Sequence, residues 1–244
     1  MKKSKTRLYF NKKISPNLMI YIKEKQHHFL KNVLRIQPLD LINVFDGLTG
    51  EWLSEVISIN RDNIVLQIKK KISEIRQEAD LWLIFAPIKL FRMNITIQKA
   101  TELGVSKFIP CITQNTNQPK LNFRNLKINI IEAAEQSERL TLPELNEVIK
   151  LNELIENFPK DRGLIFCNES GENLPNIYNA LQSNLKYYKK WAILIGPEGG
   201  FTDSEIKEIL SISSSIPVSL GKRILRSDTA TTAAVFSVQS FIEK

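Results

Sequence analysis

The sequence predicts an α/β fold: a parallel sheet with helices on both faces, preceded by a small β-barrel. Two observations carry this. Short apolar runs follow one another closely through the first seventy or so residues, and from Leu81 onward strand-like runs alternate with amphipathic helical segments. A polar stretch, Lys69 to Asp80, separates the two rhythms, so the chain is read as two domains, 1–72 and 75–244.

In the first domain, Leu41 to Phe45 is an apolar run closed by Asp46-Gly47. Glu51 to Ile59 alternates loosely around Trp52, Leu53, Val56, Ile57 and Ile59, and Asn63 to Ile68 alternates more cleanly. His27 to Arg35 has helical spacing, with Phe29, Leu30, Val33 and Leu34 on one side. In the second domain, Leu81 to Ala86 reads as a buried strand. Lys89 to Leu103 reads as a helix whose apolar residues recur at three- and four-residue steps until Gly104 stops it. Lys107 to Ile112, Gly163 to Cys167, Trp191 to Ile195 and Ile216 to Leu220 read as further strands. Helices are expected at Leu126 to Ser137, around Leu174 to Leu185, at Thr202 to Leu210 and from about Asp228 to Phe241.

Of the 244 residues 43% are hydrophobic and 25% charged, which excludes a disordered or collagen-like chain. Lys and Arg number 34 against 26 acids, a formal charge of +8, so a polyanionic partner is a candidate beside an ordinary solvated surface. No segment reaches the roughly twenty apolar residues needed to cross a bilayer, and the basic start lacks the apolar run of a signal peptide. The reading is therefore a soluble cytoplasmic protein without membrane association. Cys111 and Cys167 match no metal or redox spacing, and the adjacent His27 and His28 have no neighbours to complete a metal set; no metal is expected.

The strongest local signal is Leu194-Ile195-Gly196-Pro197-Glu198-Gly199-Gly200-Phe201-Thr202, a buried strand running into a loop with three glycines. A helix follows, with Thr202 and Glu205 spaced as a capping box. In an open α/β sheet, ligands bind where strands end, and glycines there let the backbone approach closely. The loop lacks the lysine and hydroxyl residue of a P-loop, and it serves equally as a ligand-free turn. A second strand ends in Leu220-Gly221-Lys222-Arg223-Ile224-Leu225-Arg226, followed by Ser227-Asp228-Thr229, residue types that cap helices. The two loops could close on one ligand, with Arg226 gripping an anionic group, or the cations could simply be solvated.

Together these two segments resemble the C-terminal signature of the ribosomal RNA small subunit methyltransferase E family, SPOUT-class enzymes. The resemblance extends over nearly the whole chain: Arg92-Met93 with Ile97 to Val105, then Glu132 to Ser137 with Arg139 and Pro143, and, near the start, Arg7 to Phe10, His28, Val33-Leu34-Arg35 and Phe45-Asp46-Gly47. It implies a PUA-like RNA-binding barrel over 1–72 and, over 75–244, a SPOUT domain with a deep trefoil knot. It implies a homodimer that uses S-adenosylmethionine to methylate N3 of a uridine in 16S ribosomal RNA, either free or within the small subunit. By position, Leu194, Gly196, Glu198, Gly199, Gly200, Leu220, Gly221, Ile224, Leu225 and Arg226 would line the cofactor site. Arg226 would stabilise developing charge, Asp228 or Glu135 would take the proton, and Arg7, Arg35 and Arg92 would meet RNA. The alternatives are a PUA-like RNA-binding or ribosome-assembly protein without catalysis, and a SPOUT enzyme acting at another RNA position. The chain departs from the family pattern at Leu39 and Glu138, where glycine is usual, at Leu90-Phe91 in place of Gly-Asp, and at Asp228 in place of glutamate.

Overall fold

The structure, a computed structural model, describes residues 3–117, 120–168 and 173–243. It divides into two compact units, one of Met1–Gln77 with Ala134–Leu142, the other of Glu78–Ala133 with Pro143–Lys244.

The first unit is built on β1 (Arg7–Tyr9), β2 (Met19–Ile22), β3 (Leu41–Phe45), β4 (Glu51–Ile59) and β5 (Ile64–Ser73), forming one sheet in the order β1-β3-β4-β5-β2. β1 runs parallel to β3 and the other pairs are antiparallel. Alternation decides which face is buried: Ile42 and Val44 of β3, Trp52 and Val56 of β4, and Ile64, Leu66 and Ile68 of β5 join Leu8, Ile20, Ile22 and Leu30 in one core. A short helix, α1 (Glu24–His28), runs directly into a π-helical turn over Phe29–Val33, where the sequence spacing predicted one helix. The polar Lys69–Ser73 stretch, read above as part of a linker, continues β5. Lys70 pairs with Leu53 and Lys71 with Trp52, and the Lys71 ammonium lies 5.5 Å from the Trp52 ring centroid.

Residues 134–142 belong to this unit because Arg7 holds them. Its Nη1 donates to the carbonyls of Ala134 (3.1 Å) and Glu135 (3.2 Å), and Nη2 to that of Arg139 (3.0 Å). Its Nε pairs with Glu51, and its guanidinium covers the Phe45 ring, which itself packs with Ala134 and Leu140.

The second unit is a seven-stranded parallel sheet. Its strands are β6 (Leu81–Phe85), β7 (Lys107–Ile112), β8 (Glu144–Leu145), β9 (Ile149–Lys150), β10 (Arg162–Cys167), β11 (Lys190–Ile195) and β12 (Ser215–Val218). The order is β12-β10-β11-β6-β7-β8, with β9 also pairing with β7. β6, β10 and β11 are almost wholly buried, as near-continuous apolar strands covered on both faces should be. The helices are α2 (Leu90–Glu102), α3 (Phe123–Gln136), α4 (Leu151–Glu156), α5 (Ile177–Asn184), α6 (Asp203–Leu210) and α7 (Ser227–Ile242); the last residues of α3 fall in the first unit. α7 packs against α2, α5 and β11, while α4 packs against α6. Among the described residues, no helix is long and apolar enough to cross a membrane.

Candidate cofactor and RNA-modification site

Because every pairing in the second sheet is parallel, β6, β7, β10, β11 and β12 end at one edge, and the loops leaving β7, β11 and β12 rise from it together. Trp191 to Ile195 of β11 are fully buried, and Leu194 lies within the apolar core under the loop rather than in the loop itself.

The backbone turns sharply after β11. Gly200 N donates to Pro197 O (3.0 Å), and Gly200 sits on left-handed backbone at φ 65°, where a side chain would strain it. A Cβ on Gly196 would lie 2.7 Å from the Phe201 ring, so this position admits no side chain unless the ring moves. Phe201 is in turn set edge-on against Phe166, with centroids 5.3 Å apart. The predicted capping box is present: Thr202 Oγ1 accepts from Glu205 N, and Glu205 Oε2 accepts from Thr202 N (2.9 Å).

Two residues from the loop after β7 meet this turn. Asn115 Nδ2 donates to Gly199 O (2.9 Å) and to Gly200 O (3.2 Å). Gln114 N donates to the second carboxylate oxygen of Glu205 (2.8 Å), which is only 4% exposed. From α2, Arg92 pairs with Glu198 at 3.4 Å. The sequence offered no signal for Asn115, because its partners are backbone carbonyls more than eighty positions away. Glu205 was legible as a cap but not as a bridge to the β7 loop.

The loop after β12 carries Gly221 at φ 120°, with open space where a Cβ would be. Lys222, Arg223, Ile224 and Arg226 are exposed, Ile224 by 85%, while Leu220 and Leu225 are partly buried. Arg226 is the residue preceding α7, and its guanidinium has no partner among the described residues. The sequence suggested that Ser227, Asp228 or Thr229 would cap this helix; no side chain does so. Ser227 Oγ donates instead to Gly196 O (3.3 Å), which ties the start of α7 to the first glycine of the other loop. Asp228 accepts from its neighbour's amide, Thr229 N, at 3.0 Å.

The structure thus brings together Arg92, Gly196, Glu198, Gly199, Gly200 and, through Ser227, the Arg226–Asp228 segment. Glu135 and Arg7 belong to the other unit and are occupied there. The Glu135 carboxylate accepts from Tyr9 N (2.8 Å) and Gln26 Nε2 (3.1 Å), and Arg7 spends its donors as described. Arg35 is exposed on left-handed backbone at φ 48°, and Lys2 of the basic start lies outside the described residues. Burial, aided by the charges of Glu205 and Glu153, pushes the Cys111 thiol up to about 12; burial alone does the same for Cys167. Both are packing residues rather than nucleophiles. Among the described residues, no cluster of three or more His, Cys, Asp or Glu side chains could hold a metal.

Residues 76–239 match the RNA methyltransferase domain family and residues 22–69 the PUA domain of RNA methyltransferases, so the chain is an RNA methyltransferase carrying a PUA domain. It is 32% identical to the ribosomal RNA small subunit methyltransferase E of Rickettsia conorii, across 96% of this chain and 94% of that one. It is 35% identical to that of a Synechocystis species, across 89% and 72%. The chain belongs to the ribosomal RNA small subunit methyltransferase E family. In structure it is similar to the Neisseria gonorrhoeae enzyme of that name bound to S-adenosylmethionine (TM-score 0.84, 25% identity, 96% and 97% covered). It is also similar to a putative Legionella pneumophila methyltransferase in complex with the same cofactor (TM-score 0.85, 25% identity, 98% of each chain).

Proposed function

We propose that the protein methylates N3 of a specific uridine in the 16S ribosomal RNA of the small subunit, with S-adenosylmethionine as donor. The observation that carries this reading is the Ser227–Gly196 bond, which draws the segment bearing the unpartnered Arg226 to the glycine turn after β11. The turn offers a ligand backbone donors: the amides of Glu198 and Gly199 have no partner among the described residues. Gly196, Glu198, Gly199 and Gly200 would form one wall above buried Leu194, and Leu220, Gly221, Ile224, Leu225 and Arg226 the other.

S-adenosylmethionine supplies the methyl group from its sulfonium. The chain's residues orient the target and stabilise charge, with neither a metal nor a covalent nucleophile required. As the uracil N3 proton departs, the Arg226 guanidinium stabilises the negative charge left on the ring, and Asp228, two residues further along the chain, is the proton acceptor. Glu135, whose carboxylate already accepts two bonds, is the poorer acceptor. The uridine must leave its stack to reach the donor.

The first unit would serve as the PUA-like RNA-binding barrel and the second as the SPOUT domain. Arg35 and Arg92 contact phosphates; Arg7 acts through the fold. The reading includes a trefoil knot within the second unit. The working form is a cytoplasmic homodimer. Mass mapping of 16S ribosomal RNA from a strain lacking the gene, combined with calorimetric titration of pure protein with S-adenosylmethionine, tests the whole reading. An unchanged N3-methyluridine signal with cofactor binding intact would redirect the enzyme to another RNA position. Absence of cofactor binding would leave an RNA-binding or assembly protein.

A further inference from the structure

We propose that Asn115 is a positioning residue that holds the glycine turn 197–200 in its ligand-receiving shape, with Glu205 fixing the loop that carries it. The inference rests on the reading of that turn as the S-adenosylmethionine site. A turn containing Gly199 and Gly200 lets a ligand come close, but the same glycines leave the backbone many alternative conformations. The turn's own hydrogen bond, Gly200 N to Pro197 O, leaves the Gly200–Phe201 peptide unheld. Asn115 supplies the missing restraint: its single amide nitrogen donates to both Gly199 O (2.9 Å) and Gly200 O (3.2 Å). Since each peptide is planar, fixing those two carbonyls also fixes the Gly200 and Phe201 N–H groups opposed to them; with Gly200 N held on Pro197 O, the free amide of Glu198, in the same peptide as that carbonyl, is presented in one arrangement.

Asn115 is itself anchored. Its neighbour Gln114 donates its backbone N–H to Glu205 Oε1, while Oε2 of the same carboxylate receives Thr202 N at the start of α6. Thr116 Oγ1 accepts from Thr113 N (2.9 Å) and closes the β7 loop on itself. The asparagine Cβ also stands 3.2 Å from where a Gly199 Cβ would be, so this side chain fills the space that a residue other than glycine would need at position 199. Such bracing acts by preorganisation, which strengthens binding without adding a contact to the ligand.

The test compares Asn115→Ala and Asn115→Asp with the wild-type chain by calorimetric titration with S-adenosylmethionine, steady-state kinetics on 16S ribosomal RNA and thermal melts. Asn115→Ala should weaken cofactor binding about tenfold, the loss expected for two neutral hydrogen bonds. It should raise KM for the cofactor while leaving kcat within about threefold. Asn115→Asp at alkaline pH should bind more weakly still, because a carboxylate would face two carbonyls. It should regain affinity as the pH falls, since a protonated carboxyl donates one bond again, whereas the wild-type affinity stays flat. Cofactor affinity within twofold of wild type in Asn115→Ala, or a pH-independent Asn115→Asp, would overturn the proposal, as would a loss of melting temperature that accounts for the loss of binding. A wild-type chain that binds no S-adenosylmethionine would refute the cofactor reading and this inference with it; wild-type binding with unchanged Asn115 variants refutes the inference alone.

Discussion

Replacing Leu39 by glycine should stabilise the protein even though it deletes four carbon atoms of an apolar side chain. Leu39 sits on left-handed backbone at φ 70° and is 65% exposed, and Glu138 repeats the situation at φ 60°. Left-handed backbone costs an L-residue about 1–2 kcal/mol, because Cβ crowds the following carbonyl. Glycine removes that cost but loses roughly 0.5–1 kcal/mol to the greater freedom of its unfolded chain. With so little apolar area buried, the net gain is about 0.5–1 kcal/mol per site, and the backbone bond from Leu39 N to Val56 O (2.9 Å) is untouched. Glu138 follows α3 by two residues, the region where helices commonly end on a left-handed glycine, so Glu138→Gly should gain a similar amount. If the sites act independently, the double variant gains about 1–2 kcal/mol, which for a chain of this size raises the melting temperature by roughly 2–8 °C. Scanning calorimetry on the two single variants, the double variant and Leu39→Ala checks this. Leu39→Ala keeps Cβ and its strain while losing the exposed side chain, so it should gain nothing. A Leu39→Gly variant that melts at or below the wild type, or a Leu39→Ala variant that gains as much, would show that strain at this turn is not what the side chain costs.

At the site, Gly196→Ala places a methyl 2.7 Å from the Phe201 ring, and should cost about 1–3 kcal/mol in melts, with Phe201→Leu restoring part of the loss in a double-mutant cycle. Gly199→Val should abolish cofactor binding in calorimetry, since its Cβ alone would sit 3.2 Å from that of Asn115; retained affinity would mean that the turn is only a turn. Arg226→Ala should lower kcat far more than it weakens cofactor binding, and equal losses would make Arg226 a binding or folding residue. Burial opposes ionisation of Asp46, but the amides of Thr49, Ile14 and Leu48 and the Thr49 hydroxyl outweigh it and hold the carboxyl below its ordinary 3.8. A depressed folded pKa contributes stability above the unfolded value that is lost as pH falls through the folded one. Urea melts should therefore show an acid loss below about pH 4 that is smaller in Asp46→Asn.

The alternation of strands and helices from Leu81 onward was readable because buried strands and amphipathic helices leave different periods in a sequence. β1 and β2, of three and four residues, and the two-residue β8 and β9 are too short to show a period, and α4 escaped for the same reason. β5 runs past its readable end because its lysines continue the ladder with β4, Lys71 reaching the Trp52 ring and Lys69 the Glu55 carboxylate, a use of polar residues that hydropathy cannot distinguish from a linker. Glycines marked both loops of the candidate site. What braces them was hidden: Asn115, Ser227 and the second role of Glu205 depend on hydrogen bonds to backbone atoms 31 to 91 positions away, which no local pattern encodes.

The latch made by Arg7 sets where this protein can be divided. Cut after residue 77, the fragment would carry a guanidinium stripped of three carbonyl partners, a Tyr9 amide without its Glu135 carboxylate, and a Phe45 ring bared where Ala134 and Leu140 had covered it. An expression fragment ending there should aggregate or melt early. A chimaera that exchanges the RNA-binding end between relatives has to transplant residues 134–142 along with it: the heritable module is two stretches of gene, not one.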